Sequence, residues 1–401
     1  MTTITHDTRV VLGAQALRAF GYGLTSVLLG VTLDELDFSG LEAGLVLAAV
    51  VAGTAVASIM IARYGDRVGR RRAYIALYVV LAVTGVVFAF ATSAWVLGVV
   101  ALAGALSTEV VESGPFTSLE QAMLAQELPP ARLASGFGIY NAVATAGGAV
   151  GALAAALPSM THRWIDVPTQ RWFLLLVVAA LAGVLLAVRL TPVVETERSV
   201  LAPVVRLERS RPTVVRLSGL FALDAFGGGF VVQSFIAFWF SRRFGATPGQ
   251  IGLVFFTVSL LQTASFLLAP VLARRFGLLT TMVATHLPSN LFLIGLAFAT
   301  NLPVAVALWF ARVMIAQIDV PTRQAYVMHI VDPHERVPAA AYTNTARYVV
   351  RPAGPALAGA ASSLALGAPF VIAGTVKAFY DIVLWRWFRH VPLPDTQVEA
   401  R

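Results

Sequence analysis

The sequence predicts an all-α membrane protein, with twelve transmembrane helices arranged as two similar six-helix bundles. Three observations predict it. Of 401 residues, 58% are hydrophobic and 12% charged, with a mean hydropathy of +0.78, which is more apolar surface than a water-soluble fold of this size can bury. Apolar stretches of about the 20 residues that a helix needs to cross a bilayer recur along the whole chain. Finally, the second half repeats features of the first.

The first stretch, 10–32, follows Met1 to Arg9, which carries the acid Asp7 and little positive charge. It is too long for the apolar core of a signal peptide and is expected to stay as an uncleaved first span. Stretches at 41–62 and 73–92 flank a short basic loop, Ala62 to Arg72, with Arg63, Arg67, Arg70, Arg71 and Arg72. The fourth, 96–126, exceeds what a span requires, so it must tilt or project from the membrane. Stretches 133–157 and 170–190 complete a first bundle at 1–190. A polar, Arg-rich segment, 191–213, links it to a second bundle at 214–390. There the apolar stretches fall at 214–240, 248–273, 278–300, 303–330, 334–361 and 366–387, and a tail follows at 391–401. Gly227-Gly228-Gly229 marks the seventh helix as flexible or broken. In Asp332-Pro333-His334-Glu335, Asp332 suits an N-cap, Pro333 the first helical position and Glu335 the return hydrogen bond of a capping box.

Most of the 29 Lys and Arg residues fall on the side of Asp66, with Arg163, Arg171, Arg242 and Arg243 opposite. By the positive-inside rule the linker, the tail and both termini are cytoplasmic, and the expected location is a cell membrane such as the bacterial inner membrane. The net charge of +8 is therefore read as membrane orientation, and no nucleic-acid partner is expected. With no cysteine there is neither a disulfide framework nor a thiolate. No Walker loop, zinc-spaced histidine cluster or Ser-His-Asp order occurs, so no catalytic residue, metal site or cofactor is expected and the protein is not read as an enzyme. His286 and His329 are read as flanking the membrane.

The repeat is visible in Leu17-Arg18-Ala19-Phe20-Gly21-Tyr22-Gly23 against Leu223-Asp224-Ala225-Phe226-Gly227-Gly228-Gly229. Ala62-Arg63-Tyr64-Gly65 is echoed by Ala273-Arg274-Arg275-Phe276-Gly277. Glu120-Gln121-Ala122 aligns with Arg323-Gln324-Ala325 at the offset that brings Asn141 onto Asn344 and Gly151 onto Gly354.

Charges within the spans carry the functional reading. The acids Glu109, Glu112, Glu120, Asp224, Asp319 and Asp381, and the bases Arg18, Arg312, Arg323, Arg347, Arg351 and Lys377, fall inside helices, Lys377 and Asp381 near an end. Facing lipid, each would cost roughly 3 kcal/mol, so they must pair or line water. Residues three and four apart share a helix face, which gathers Glu109, Glu112, Phe116 and Glu120 on one stripe of the fourth helix. Arg312, Ala316, Asp319, Arg323 and Tyr326 gather on the tenth, and Arg347 and Arg351 on the eleventh. A buried carboxylate whose surroundings alternate between apolar and cationic changes its proton affinity, which suits proton coupling. Glu112 is the leading proton carrier, with Glu109, Glu120, Asp224 and Asp319 as partners or relay. Arg18, Arg312, Arg323 and Arg347 are candidates to hold an anionic substrate, or they neutralise the acids. Tyr22 and Phe116, with Phe20, Phe226, Phe235 and Trp239, are candidates for an aromatic cavity wall.

Asp66-Arg67-x-Gly69-Arg70-Arg71, with small Ala62 four residues before the acid, resembles the loop between helices 2 and 3 of the major facilitator superfamily of transporters. That family usually has Gly where Ala62 stands. The resemblance implies parallel six-helix repeats and a central cavity lined by helices 1, 4, 7 and 10, on which Arg18, the helix 4 acids, Asp224 and the helix 10 charges converge. It makes Asp66, Arg67, Gly69 and Arg70 gating residues, the acid lying against the start of helix 11 in an outward-open state. Arg18 and Asp224, at equivalent repeat positions, become candidates for a pair across the cavity. The spacing of Gly138, Gly147 and Gly151 in helix 5 resembles that of the superfamily's drug:proton antiporters, although Ala152, Ala155 and Ala156 stand where those have Pro and a Gly pair. The superfamily's helix 4 arginine motif is absent. The expected function is proton-coupled, alternating-access export of a small organic molecule by a monomer in the lipid bilayer. The alternative is a proton symporter importing an organic anion held by Arg18, Arg312 and Arg347. A non-transporting receptor or scaffold is disfavoured, since it has no reason to keep so many ionisable residues at membrane depth.

Overall fold

The structure, a computed structural model, describes residues 5–107, 109, 114–128, 133–161, 164, 166–195 and 207–391. Among these all regular structure is helical. Two compact units form: Met1–Val200 with Val232–Ser259, and Leu201–Val231 with Leu260–Arg401. Among the described residues ten helical runs are long and apolar enough to cross a membrane. The two remaining expected spans, 96–126 and 334–361, are each interrupted.

In the first unit α1 (His6–Glu35) runs through the middle, buried along most of its length. It is followed by α2 (Gly40–Val68), α3 (Arg70–Phe90), α4 (Ala94–Ala101), α5 (Pro115–Glu127), α6 (Leu133–Ala154), α7 (Leu157–Thr161) and α8 (Leu174–Val188). Glycines bring α1 and α6 into backbone contact: a Cβ at Gly23 would meet the Gly148 carbonyl, and one at Gly151 the Phe20 carbonyl. This is how membrane helices gain packing when lipid gives them no hydrophobic drive. Gly147 also faces α1, against the Ala16 carbonyl, whereas Gly138 meets open space.

The basic segment expected as a loop is helix almost throughout. α2 continues to Val68 and α3 starts at Arg70, leaving Gly69 alone between them at φ 97°, a conformation open to glycine. The start of α3 is held by Glu195, whose carboxylate accepts from the backbone N–H of Arg70 (2.7 Å) and Arg71 (3.1 Å), a favourable position for an anion at a helix N-terminus.

The fourth span is not one helix, which corrects the single stripe from Glu109 to Glu120. The chain leaves α4 through Gly104 at φ 77°, where a Cβ would strike the Gly53 backbone. It re-enters at Pro115, the first residue of α5, where a missing N–H costs nothing. Carbonyls freed by the break find donors, as they must in lipid: the Tyr22 hydroxyl donates to Ala105 (2.8 Å) and the Thr54 hydroxyl to Leu106 (2.9 Å).

The seventh span breaks after its glycine triplet, into α9 (Arg211–Gly229) and α10 (Gln233–Phe244), and α11 (Pro248–Phe276) follows. In the second unit stand α12 (Leu278–Leu296), α13 (Leu302–Ala316), α14 (Asp319–Ile330), α15 (Arg336–Val350), α16 (Ala353–Leu364) and α17 (Ala368–Phe388). The tenth span thus divides after Ala316, and Arg312 sits on a different helix from Asp319, Arg323 and Tyr326.

At the start of the eleventh span Asp332 caps a short 3-10 turn, accepting from the His334 N–H at 3.1 Å. The expected capping box does not form. The Asp332 N–H goes to the Ser210 hydroxyl (3.0 Å), and Glu335 instead accepts from the N–H groups of Glu208 (2.6 Å), Arg209 (2.9 Å) and Ser210 (2.7 Å) ahead of α9. These bonds, Glu208 first and Ser210 next, hold the Glu335 carboxyl down from an ordinary 4.5 to about 2. A lowered folded pKa gives stability that is complete above the unfolded value and is lost as pH falls through the folded one. Wild type is therefore expected to melt above Glu335→Gln at neutral pH, with the gap closing between pH 4.5 and about 2. Thermal unfolding in detergent across that range checks it.

Candidate functional site

Two buried ionic clusters form, one in each unit. In the first, Glu120 is 0% exposed and Arg18 2%. The guanidinium grips the carboxylate with two bonds, Nε to Oε1 at 3.2 Å and an NH2 bond to Oε2 at 2.7 Å. The Tyr74 hydroxyl adds a bond to Oε1 (2.7 Å) and the Tyr140 hydroxyl one to Oε2 (2.6 Å). Four donors on two oxygens leave this carboxylate fully engaged, and such a charge-assisted, bidentate pair is among the stronger polar contacts a buried site makes. Phe116 packs edge-on against Tyr74 and Tyr78, and the Arg18 guanidinium lies over the Tyr22 ring (5.2 Å) and the Phe116 ring (5.6 Å). Phe116, also 0% exposed, packs within this cluster.

In the second unit Asp224 is the hub. Its carboxylate meets the Lys377 ammonium, Arg323 (3.0 Å) and Arg347 (3.3 Å), and Arg323 also reaches Asp319 at 3.1 Å. Behind Asp224 stands His286, its Nε2 3.8 Å from the Asp224 carboxylate. The other ring nitrogen, Nδ1, lies 2.8 Å from Asp381, and the Asn290 amide donates to the same carboxylate at 2.8 Å. Asp381, His286 and Asp224 thus stand in line, the imidazole bonded to Asp381 and 3.8 Å from Asp224, with cations around Asp224. All of these side chains except Arg347 are nearly or fully buried.

The two clusters reuse the same repeat positions with the signs exchanged. Arg18 on the first span pairs with Glu120 on the fourth; Asp224 on the seventh pairs with Arg323 on the tenth. Each member of the candidate pair Arg18 and Asp224 has a partner inside its own unit. Lys377 and Asp381 sit mid-helix in α17, not near its end. His286, expected at the membrane surface, is buried within α12.

The other expected residues fall as follows. Glu112 lies outside the described residues. Glu109 itself is not in a helix, its N–H donating to the Ser107 hydroxyl at 3.1 Å. The Arg312 guanidinium stacks on Trp309 at 4.8 Å. Asp66, 67% exposed at its side chain, accepts from Arg70 at 2.8 Å, and Arg70 also donates to Gln126 at 2.8 Å. Arg67 rests on the Tyr64 ring, and Gly69 makes the turn. Asp66, Gly69 and Arg70 thereby tie α2, α3 and α5 together.

Stacked apolar helices, several of them broken near glycine or proline, with charges paired in two buried clusters, define a polytopic membrane protein of the carrier type. The sequence matches the Major Facilitator Superfamily over residues 11–241 and 217–401, and the chain belongs to that family. It is 24% identical to an uncharacterized membrane protein of Saccharomyces cerevisiae, over 94% of this chain and 93% of that one. Among solved structures it is similar to a mutant of the nucleoside transporter NupG (TM-score 0.74, 14% identity, 96% of this chain and 99% of that). It is similar also to a D-xylose-proton symporter (TM-score 0.74, 15% identity, 96% and 98%). A third is a bacterial homolog of the human lysosomal transporter Spinster (TM-score 0.71, 17% identity, 95% and 97%).

Proposed function

We propose that this protein is a proton-coupled secondary transporter that exports a small organic molecule by alternating access, and that Asp381, His286 and Asp224 carry the coupling proton. The observation that carries the proposal is the imidazole placed between two buried carboxylates. Either nitrogen of a histidine ring can carry the proton, so the ring can take a proton on the side of one carboxylate and release it on the side of the other. Asp319, whose Oδ1 finds no donor among the described residues, is a further acceptor beside this line. Glu120, by contrast, acts as a strut, since releasing its charge would strand Arg18. Asp66, Arg67, Gly69 and Arg70 keep their proposed gating role. Export draws support from the spacing of Gly138, Gly147 and Gly151, which resembles that of the superfamily's drug:proton antiporters.

A second reading, symport of an organic anion, is favoured by the three cations around Asp224: once Asp224 is protonated, a substrate carboxylate can take its place among Lys377, Arg323 and Arg347. One experiment separates the two. Inverted vesicles with an acid interior and a pH-sensitive dye are challenged with a panel of small organic solutes. Antiport predicts that some solute discharges the pH gradient. Anion symport predicts instead that an organic acid added to right-side-out vesicles makes the medium more alkaline. If no solute moves protons in either orientation, proton coupling fails.

A further inference from the structure

The faces of α12 and α17 that turn away from the ionic cluster form a groove of their own. Val283 and Leu287 on α12, and Ile382, Trp385, Arg386 and Arg389 at the end of α17, help line a cavity of about 520 Å³. Their spacing of three and four puts them on one stripe of each helix. On the same helices His286, Asn290, Tyr380 and Asp381 are buried while Ala284, Pro288 and Ile382 beside the groove are exposed, so the groove opens outward, where a spanning helix meets lipid. Ile382 is 55% exposed, and both arginines are exposed, without an ion-pair partner among the described residues.

The order of chemistry along the groove matches the depth profile of a leaflet. Arg386 lies in the last turn of α17 and Arg389 just after it, at the level where basic side chains reach the headgroups. Trp385 sits beside them, as indoles do at the interface. Leu287 and Ile382 lie further in, at the depth of acyl chains. A pair of guanidinium groups over an apolar slot matches an anionic amphiphile, because a guanidinium bonds phosphate in a bidentate way, and basic pockets between spanning helices suit acidic headgroups.

We infer that this groove is a binding site for one anionic phospholipid of the leaflet in which α17 ends. Its phosphate sits between Arg386 and Arg389, and an acyl chain lies along Leu287 and Ile382. The site is independent of the transport reading.

Native mass spectrometry of the purified full chain, with phosphatidylglycerol or phosphatidylcholine of equal acyl composition added, tests it. Wild type is expected to retain one phosphatidylglycerol in preference to phosphatidylcholine. Arg386→Gln with Arg389→Gln, exposed positions whose change leaves the melting temperature in place, is expected to weaken phosphatidylglycerol binding about thirtyfold. Leu287→Trp, which fills the slot, is expected to reduce retention with both arginines intact. Excess sn-glycerol 3-phosphate is expected not to displace the lipid. Equal retention of the two lipids by wild type, unchanged retention in the double variant, or displacement by glycerol phosphate overturns the inference.

Discussion

Asp224→Asn is expected to lose both transport and fold stability, because the substitution keeps the shape of the side chain while removing the one negative charge that Lys377, Arg323 and Arg347 share. Breaking a buried pair from one side costs roughly 3 to 5 kcal/mol when water is excluded, a large part of the roughly 5 to 15 kcal/mol that keeps a protein folded. Arg323 retains Asp319, so the stranded charge is mainly Lys377, whose carboxylate partner is Asp224. Lys377→Met in the Asp224→Asn background is therefore expected to return much of the stability without returning transport. Thermal unfolding in detergent reads the first effect and flux reads the second. An unchanged melting temperature in Asp224→Asn would mean that the cluster is hydrated enough to bear the loss.

Glu120→Gln is expected to be comparably damaging in the first unit, and for a purely structural reason. Arg18 loses its carboxylate partner among the described residues, and the Tyr74 and Tyr140 hydroxyls lose a charged acceptor. A buried donor left without a partner costs roughly 1 to 3 kcal/mol, more for a charged one. Replacing both ends, Arg18→Met with Glu120→Met, removes the uncompensated charge and is expected to cost less than either single charge removal. A double-mutant cycle on melting temperatures should give a coupling of about 0.5 to 3 kcal/mol. Additive effects would show that Arg18 and Glu120 do not depend on each other for their burial.

Hydropathy alone located the apolar spans, and the glycine triplet located the break between α9 and α10. The breaks in the fourth, tenth and eleventh spans were less visible because the polar residues beside them, Glu109, Asp319 and Arg351, read equally well as members of one face of a continuous helix. Pro115, Pro321 and Pro352 stand at or just after those breaks, and each removes a hydrogen bond that a continuous helix would need. Proline by itself does not decide the matter, since Pro270 and Pro288 lie inside α11 and α12 without ending them.

The pairing of charges was half legible. Repeat alignment brought Arg18 onto Asp224 and Glu120 onto Arg323, the four residues of two equivalent ion pairs, but alignment reports equivalence and not contact. Reading it as contact set two equivalent positions against each other, whereas each bonds its neighbour in its own repeat. His286 was illegible for a related reason. Its partner Asp381 is 95 residues away on α17, and nothing in the periodicity of either helix says that the two faces meet.

The most direct test of the central claim is a comparison of two fluxes in His286→Gln, using a solute that discharges the pH gradient through wild type. Glutamine keeps a polar contact with Asp381 but has no second nitrogen to pass a proton toward Asp224. Exchange of labelled for unlabelled solute at equal pH on both sides is predicted to persist, while accumulation driven by a pH gradient is lost. Gradient-driven accumulation at the wild-type rate in His286→Gln would contradict the account and move the proton to another path.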